Sequence, residues 1–481
     1  MKIALVYPPF KHKLFNENLF FVDEHFGIFP SLGLLYAAAV ARNWGAEVRI
    51  WDSIADRLSR DEVLKKVKEF SPDLLGFTIH AVTTFWDTME WLSYFKKELS
   101  LPILVGGHEV EPYAKEIMTH DVIDYAILGD APRVLPEFLD AFSGRKKYSG
   151  IPGITFRKNH ETIINPRNPD QTPFEKYPFP ARDLLNTPDR YFSHVSQKHR
   201  FTIMLSSIGC PYGCTFCAIS RTGFDARSPR NVVDEMEECV KKHNVKEIDF
   251  FDPLMLYDRN RTIELAEEIK NRKMDVIWSC RSRVDVVDEE MLDALAESGC
   301  VRIFYGIESA DPDVLAKMSK GIDIYQVHKI INKSAEVGIR PLGFFQIGGP
   351  GDTRESVEKT IKLALSLPLD YAQFLRTVAK PHSKLEQDMN RELGYEYWKE
   401  FVKGNAKEIR TPAPWTEMSE REIFQLTKKA YMAFYGRPKY VLKMLFRSKS
   451  LGEIWRYFLV WLEMVLTRTP LKEVNQTNPD G

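Results

Sequence analysis

Hydrophobic positions over residues 1 to about 142 repeat one pattern: a short apolar run, a turn, then apolar residues spaced three and four apart. The runs are IALVY (3–7), EVRIW (47–51), DLLGF (73–77), PILVG (102–106) and YAILG (125–129). Between them, segments such as LGLLYAAAVARNWG and DEVLKKVKEF carry the period of helices lying on a sheet. Near-continuous apolar strands joined by helices predict a parallel sheet covered on both faces, the doubly wound α/β arrangement, which takes ligands at its carboxyl edge. This first unit spans 1–144.

Residues 145–200 hold Pro152, Pro166, Pro169, Pro173, Pro178, Pro180 and Pro188, which exclude a long helix or a central strand. This is a linker, although IPGITFR and TIINP flank a polar turn and predict a small hairpin. From 201 the alternation resumes with FTIMLSSI, EIDFFD (247–252), VIWSCR (276–281), VRIFYGIES (301–309), IRPLGFFQIGG (339–349) and YAQFLRTVAK (371–380). Six strand-helix units over 201–400 predict a partial (β/α)6 barrel with its functional groups at the carboxyl ends of the strands.

The strand signal stops after residue 400 and a basic, aromatic helical region follows over 401–470, with a polar tail at 471–481. Residues 421–470 carry ten Lys or Arg against three Glu. The run IWRYFLVWLEMVL (454–466) contains Arg456 and Glu463 and, at thirteen residues, is too short to span a bilayer but suits lying on one. Helices that cap the barrel and bury these aromatics explain the same pattern.

Composition narrows the class. The chain has 481 residues, 44% hydrophobic and 28% charged, which is a folded protein of at least two domains. Its 66 Lys and Arg against 67 Asp and Glu leave a net charge of −1, so no global positive field favours nucleic acid. Six cysteines are too sparse for a disulfide scaffold, and MKIALVYPPF is too short for an export signal, so the expected location is the cytoplasm, with membrane contact through 421–470 as an addition.

Three of the six cysteines, Cys210, Cys214 and Cys217, lie together in GCPYGCTFC directly after a predicted strand. Three thiolates on one loop suit three irons of a cubic cluster and leave the fourth open. Gly209 and Gly213 permit the tight turns, and Phe216 can shield the cluster. Zinc competes, but it takes a fourth protein ligand and usually paired CxxC spacing. Cys239, Cys280 and Cys300 lack partner spacing and are expected in the core.

CxxxCxxC after the first of six strand-helix units resembles the radical S-adenosylmethionine (SAM) superfamily. The resemblance implies a [4Fe-4S] cluster whose open iron is chelated by SAM, which is cleaved to a 5′-deoxyadenosyl radical. FFDPLMLYDR (250–259) resembles the second-strand segment, altered in that Asp252 is followed by Pro253. CRSRVD resembles the third-strand motif, with Arg283 preferred over Arg281 near the SAM carboxylate. YGIES with Glu308 resembles the fourth-strand segment near the ribose or amino group. GGPGDT (348–353) resembles the glycine-rich turn, with Gly348 and Gly349, beside the adenine and methionine moieties. Taken singly, Glu308 and Ser309 suit the start of the next helix, and Thr353 suits a cap.

Ahead of this core, PSLGLLYAAAVARNWGAEVRIWD (30–52), SPDLLGFT (71–78) and LVGGHEVEPYAKEI (104–117) with YAILGD resemble the cobalamin-binding domain fused to radical SAM enzymes. The DxHxxG signature that gives cobalt a histidine is absent. Gly106 and Gly107 would let the corrin approach the backbone, and His108 is either a neighbour of cobalt or a locally bonded strand-end residue. The resemblance implies methyl transfer to an unactivated carbon of a small or lipid-like substrate. Its alternatives are cyclisation or rearrangement without methylation, as in anaerobic magnesium-protoporphyrin cyclase-like members, or a non-enzymatic iron-sulfur redox protein. Flavodoxin or ferredoxin is the implied electron donor. Tyr212, Tyr305 and Tyr371 lie at strand or loop ends, where packing or radical positioning would use them.

Overall fold

The computed structural model describes residues 1–9, 27–159, 161–168, 172–406 and 412–438, with Tyr440 and Leu442. Seventeen strands occur in chain order among the described residues. They are β1 (Lys2–Tyr7), β2 (Gly27–Ile28), β3 (Glu47–Asp52), β4 (Leu74–Thr78), β5 (Ile103–Gly106), β6 (Tyr125–Ile127), β7 (Ile154–Lys158), β8 (Glu161–Ile164) and β9 (Phe192–Ser193), followed by β10 (Phe201–Met204), β11 (Ser207–Ile208), β12 (Asp225–Ala226), β13 (Glu247–Phe250), β14 (Ile277–Ser282), β15 (Cys300–Glu308), β16 (Arg340–Ile347) and β17 (Tyr371–Arg376).

The first sheet has the order β3-β1-β4-β5-β6-β7-β8. Its first five members are parallel, and the chain reverses direction across the sheet between β1 and β4. The apolar runs explain the burial: Ile3, Leu5 and Tyr7 enter one layer with the helix Leu32–Trp44, while Ala4 and Val6 enter the other. The hairpin expected in the linker joins this sheet, because β7 pairs antiparallel with β6 and with β8. Helix starts follow their caps. Ser59 and Glu62 form a capping box before Arg60–Phe70, and Asp258, Asp288 and Ser228 accept from the first turns of later helices.

The second sheet runs β10-β13-β14-β15-β16-β17, every pair parallel, and forms an open half-barrel. Along β15, Ile303, Tyr305 and Ile307 enter the helix-side core, leaving Phe304, Gly306 and Glu308 toward the lumen. The segment after β9 reaches the strands' amino ends: Glu247 accepts from the amides of Gln197 and Lys198 at 2.6 and 2.8 Å.

The helices Lys384–Leu393 and Tyr397–Lys403 follow the half-barrel in sequence, yet Leu385, Met389, Tyr397, Trp398, Phe401 and Val402 pack into the core of the first sheet. The helix Glu420–Tyr435 returns to the half-barrel and buries Ile423, Leu426, Ala430, Tyr431 and Phe434 against it. Its aromatics therefore serve packing. Residues 443–481, with most of the basic stretch expected to meet a membrane, lie outside the described residues. Among the described residues no helix is long and apolar enough to cross a membrane.

Candidate functional site

The cysteine loop leaves β11 at the carboxyl edge of the half-barrel and is pinned by its own return strand. The Cys210 amide donates to Thr222 Oγ1 at 3.1 Å, and the Arg221 amide donates to the Tyr212 carbonyl at 2.9 Å. Gly209 has a left-handed φ of 77°, and a Cβ there would meet the Gly223 carbonyl at 2.6 Å. Cys214 is buried, whereas Cys210 and Cys217 are partly accessible, and all three thiols are free. Among the described residues, no three His, Cys, Asp or Glu side chains converge on a point that would hold a single metal ion.

The surroundings of Cys214 are cationic. Arg283 Nη1 lies 3.5 Å from Cys214 Sγ, and its other nitrogens grip Asp285 at 2.8 Å and the Lys320 carbonyl. The same guanidinium lies 3.9 Å from the centroid of the Tyr212 ring, so Tyr212 packs over Arg283. Burial pushes the Cys214 thiol up, and Lys320 and Arg283 pull it back toward the thiolate. Burial likewise raises Cys217, opposed by a backbone hydrogen bond and by Lys380.

Glu308 arrives beside this group through an irregular strand end. The β15 and β16 register shifts between Gly306 and Glu308, and Glu308 has a φ of 68°. Its carboxylate folds back over Gly306 and accepts from Lys320 Nζ at 2.9 Å; a Cβ on Gly306 would lie 2.6 Å from Glu308 Oε1. Both partners of this pair are about 95% buried, each 5% exposed. Asp311, and not Ser309, caps the next helix, so helix capping does not account for Glu308.

Lys320 is the site residue that the sequence did not announce. It follows Glu308 by twelve residues, across a short helix, and only the closure of the Pro312–Lys317 segment returns it to the strand end. The nearest sequence signal is its place in the turn KMSKG.

Other expected residues stand elsewhere or serve packing. Asp252 is fully buried, and its carboxylate accepts from the Ser206 amide at 2.8 Å and from the Ser206 and Ser207 hydroxyls at 2.6 Å. Its oxygens hold the turn ahead of the cysteine loop. Arg281 pairs with Asp249 at 2.9 Å, deeper in the half-barrel. Gly348 and Gly349 donate to Asp352 at 3.0 and 3.4 Å, Trp415 donates to the Gly348 carbonyl, and Gly349 abuts Met318. Thr353 does cap its helix. Tyr305 points away from the lumen to Ser334, and Tyr371 meets His194 edge-on. Cys239, Cys280 and Cys300 are core residues, with Cys280 and Cys300 in contact on neighbouring strands.

The two units meet at this loop. Phe216 packs against the first sheet's core, the Leu385 amide donates to the Thr215 carbonyl at 3.1 Å, and Tyr113 donates to Glu386 at 3.3 Å. His382, with a φ of 65°, lies 3.8 Å from Glu109 in the loop after β5. Glu109 Oε2 is buried without a hydrogen-bond partner, and burial together with Glu386 raises its pKa to about 7. Gly107 has a φ of 133°, and a Cβ there would meet the Ile79 carbonyl at 2.2 Å, so this glycine serves the approach of two loops. Gly106 borders open space within 4 Å of its Cβ position. A room-giving glycine and an orphaned buried carboxylate at the carboxyl edge of a doubly wound sheet fit a large ligand bound there.

A half-barrel with three cysteines on the loop after its first strand, preceded by a doubly wound sheet, defines a radical SAM enzyme that carries a cobalamin domain. Comparison with known proteins agrees. Residues 204–364 match the radical SAM superfamily, and residues 20–139 match the B12 binding domain. An uncharacterised methyltransferase of Pyrococcus horikoshii is 31% identical over 463 residues, covering 93% of this chain and 95% of the relative. The anaerobic magnesium-protoporphyrin IX monomethyl ester cyclase of Rubrivivax gelatinosus is 26% identical over 381 residues, 76% of this chain and 67% of that one. Among solved structures, the radical SAM methyltransferase TsrM of Kitasatospora setae, with cobalamin and a [4Fe-4S] cluster bound, superposes with a TM-score of 0.66 at 18% identity, covering 81% of this chain and 75% of that one. The chain belongs to the cobalamin-domain-containing radical SAM family, whose cofactors are a [4Fe-4S] cluster, SAM and cobalamin.

Proposed function

We propose that this enzyme transfers a methyl group to an unactivated carbon of a small, largely apolar substrate seated in the half-barrel. The observation that carries the reading is the junction of the two carboxyl edges: residues 382–386 touch both the cysteine loop and the loop after β5. When bound, the cluster and SAM supply a 5′-deoxyadenosyl radical and cobalamin supplies a transferable methyl group.

The residues divide the work. Cys210, Cys214 and Cys217 would hold three irons, leaving the fourth for SAM. Arg283, Lys320 and Glu308 offer both signs of charge to an amino acid headgroup, with Arg283 and Lys320 beside the cluster and Glu308 as an acceptor. Gly348 and Gly349 shape the wall beyond them, and Gly106 gives the corrin room. No side chain need act as base, because a carbon radical forms by hydrogen abstraction.

The lumen wall supports an apolar substrate. Phe304 stacks on Phe344 with centroids 5.9 Å apart, and the guanidinium of Arg281 lies 3.9 Å from Phe251 and 4.7 Å from Phe304. Arg281 is already neutralised by Asp249, so this wall presents no uncompensated charge. A flat or greasy carbon skeleton suits it better than an anion. A flavodoxin or ferredoxin as reductant and a cytoplasmic location complete the proposal.

Anaerobic reconstitution with iron, sulfide and hydroxocobalamin, followed by metal analysis and assay of SAM products under reduction, tests it. Retained cobalt with both S-adenosylhomocysteine and 5′-deoxyadenosine is the expected result. Deoxyadenosine alone, with cobalt retained, would favour cyclisation or rearrangement instead.

A further inference from the structure

An aromatic cluster joins the cysteine loop to solvent. Tyr257, in the turn after β13, is 41% exposed. Its ring centroid lies 5.0 Å from that of Phe224 and 6.1 Å from that of Tyr212, and both of those side chains are half-buried. Tyr212 in turn covers the guanidinium of Arg283, whose Nη1 reaches Cys214 Sγ. Three consecutive contacts therefore lead from an exposed ring to a cysteine sulfur.

The margin of this face is cationic. Arg221 lies against the loop, because a Cβ on Gly213 would fall 2.9 Å from Arg221 Nε, and the Arg221 amide holds the Tyr212 carbonyl. Lys317 adjoins the same loop, its carbonyl accepting from Thr215 Oγ1 at 3.5 Å. Both side chains are exposed, and among the described residues neither has an ion-pair partner. The carboxylates nearby are engaged: Asp225 accepts from the Phe174 amide and pairs with Arg133, Asp258 caps its helix, and Asp285 holds Arg283. Arg259, by contrast, is shared between Asp288 and Glu290 and adds no free cation.

We propose that the Tyr257–Tyr212–Phe224 face, with Arg221 and Lys317 at its margin, is the docking surface for a small acidic flavin protein that supplies the electron. The proposal rests on Cys210, Cys214 and Cys217 holding the cluster. Electron transfer weakens steeply with distance, so a carrier docks where that loop lies nearest to solvent. Exposed aromatics beside arginine are the composition of a protein interface, and unpaired cations steer an acidic partner onto it. A flavin presents a flat, apolar ring edge, which these rings receive better than the polar loop around a small iron-sulfur centre. In the step itself the carrier's anionic flavin hydroquinone gives up one electron and becomes the neutral semiquinone, the cluster takes that electron, and no proton moves.

Binding and electron delivery test the surface without reference to turnover. Full-length protein, reconstituted with iron and sulfide, is titrated calorimetrically with an oxidised acidic bacterial flavodoxin at low and high salt. Its cluster reduction is then followed by stopped flow with the flavodoxin hydroquinone and, separately, with titanium(III) citrate. Arg221→Glu should weaken flavodoxin binding at least about tenfold at low salt, slow reduction by the hydroquinone, and leave reduction by titanium citrate unchanged. Tyr257→Ala should weaken binding without removing its salt dependence, and Lys65→Glu, on the helix Arg60–Phe70 of the first unit, should change nothing. If Arg221→Glu loses iron, Lys317→Glu carries the same expectation. Unaltered affinity in Arg221→Glu, Lys317→Glu and Tyr257→Ala, or an equal slowing with both reductants, overturns the proposal. Binding of a small acidic ferredoxin in place of the flavodoxin overturns the flavin assignment. Retained iron with no flavodoxin bound by the unaltered protein removes this proposal alone, and failure to retain iron removes the cluster reading with it.

Discussion

Arg283 Nη1 sits 3.5 Å from the sulfur of Cys214, so the third strand of the half-barrel delivers a fixed cation to the loop that begins after the first. The contact links a strand-end residue to the cysteine loop across 69 positions of sequence. It places Arg283, held by Asp285, against the cysteine loop, with the Lys320–Glu308 pair beside it.

Removal of Lys320 leaves Glu308 buried and unpaired, which costs roughly 3–5 kcal/mol in comparable sites. Lys320→Met should therefore melt well below the unaltered protein, and Lys320→Met/Glu308→Gln should recover part of the loss. Both variants should keep their iron and bind SAM at least about tenfold more weakly, as expected for a lost charge-assisted hydrogen bond. Thermal melts and equilibrium dialysis of labelled SAM check the pair, and SAM affinity unchanged in both would remove these residues from the site.

Alanine at Cys210, Cys214 or Cys217 should each prevent retention of a complete cluster and end reductive cleavage of SAM. Alanine at Cys239, which is fully buried in the half-barrel core, should leave the iron content intact and cost only stability. Iron analysis after anaerobic reconstitution separates the two groups.

Gly106 and Gly107 are adjacent but should respond oppositely. Gly107→Ala places a Cβ 2.2 Å from the Ile79 carbonyl on a left-handed backbone, so the melting temperature should fall. Gly106→Ala meets nothing within 4 Å and should fold normally while retaining less cobalamin. Calorimetry beside cobalt analysis distinguishes them, and full cobalt retention in Gly106→Ala would remove the corrin from that face.

Glu109 makes stability depend on pH. Its carboxyl titrates at about 7 in the folded chain against a reference value of 4.5, because burial and Glu386 disfavour its charge. Between those values the folded state binds more protons than the unfolded one, so this contribution is complete below the lower value and is lost as pH rises through the upper. Burial also raises Glu386, which acts in the same sense, while His382 across the junction is held below its usual range. Glu109→Gln should flatten the fall in stability between about pH 5 and about pH 8, a difference of roughly 3 kcal/mol. Denaturant titrations at the two ends measure it, and equal slopes in both proteins would refute the assignment of Glu109.

The cysteine loop and the strands were legible because each depends on near neighbours in sequence. Cluster ligation needs thiolates within one loop, and a buried parallel strand needs an unbroken apolar run, as in β4 and β5. Arg281 and Arg283 could not be told apart in this way. They stand two positions apart, and only the end of β14 at Ser282 separates them, leaving Arg281 within the strand at Asp249 and Arg283 just past it at Cys214. Asp252 was legible as a segment but not as a role, because Ser206 and Ser207 consume its carboxylate.

By itself the sequence determined two α/β units and a loop whose cysteine spacing suits an iron-sulfur cluster, since periodicity and ligand spacing are short-range properties, whereas the proline-rich segment expected to be a linker adds two strands to the first sheet. The tertiary structure alone decided which charged residues reach that loop and how the two carboxyl edges meet. Lys320, His382 and Glu109 become neighbours of the site through turns and helices that carry no local pattern of their own. Their positions follow from packing, in which residues 384–403 leave the half-barrel to bury Trp398 in the first sheet's core.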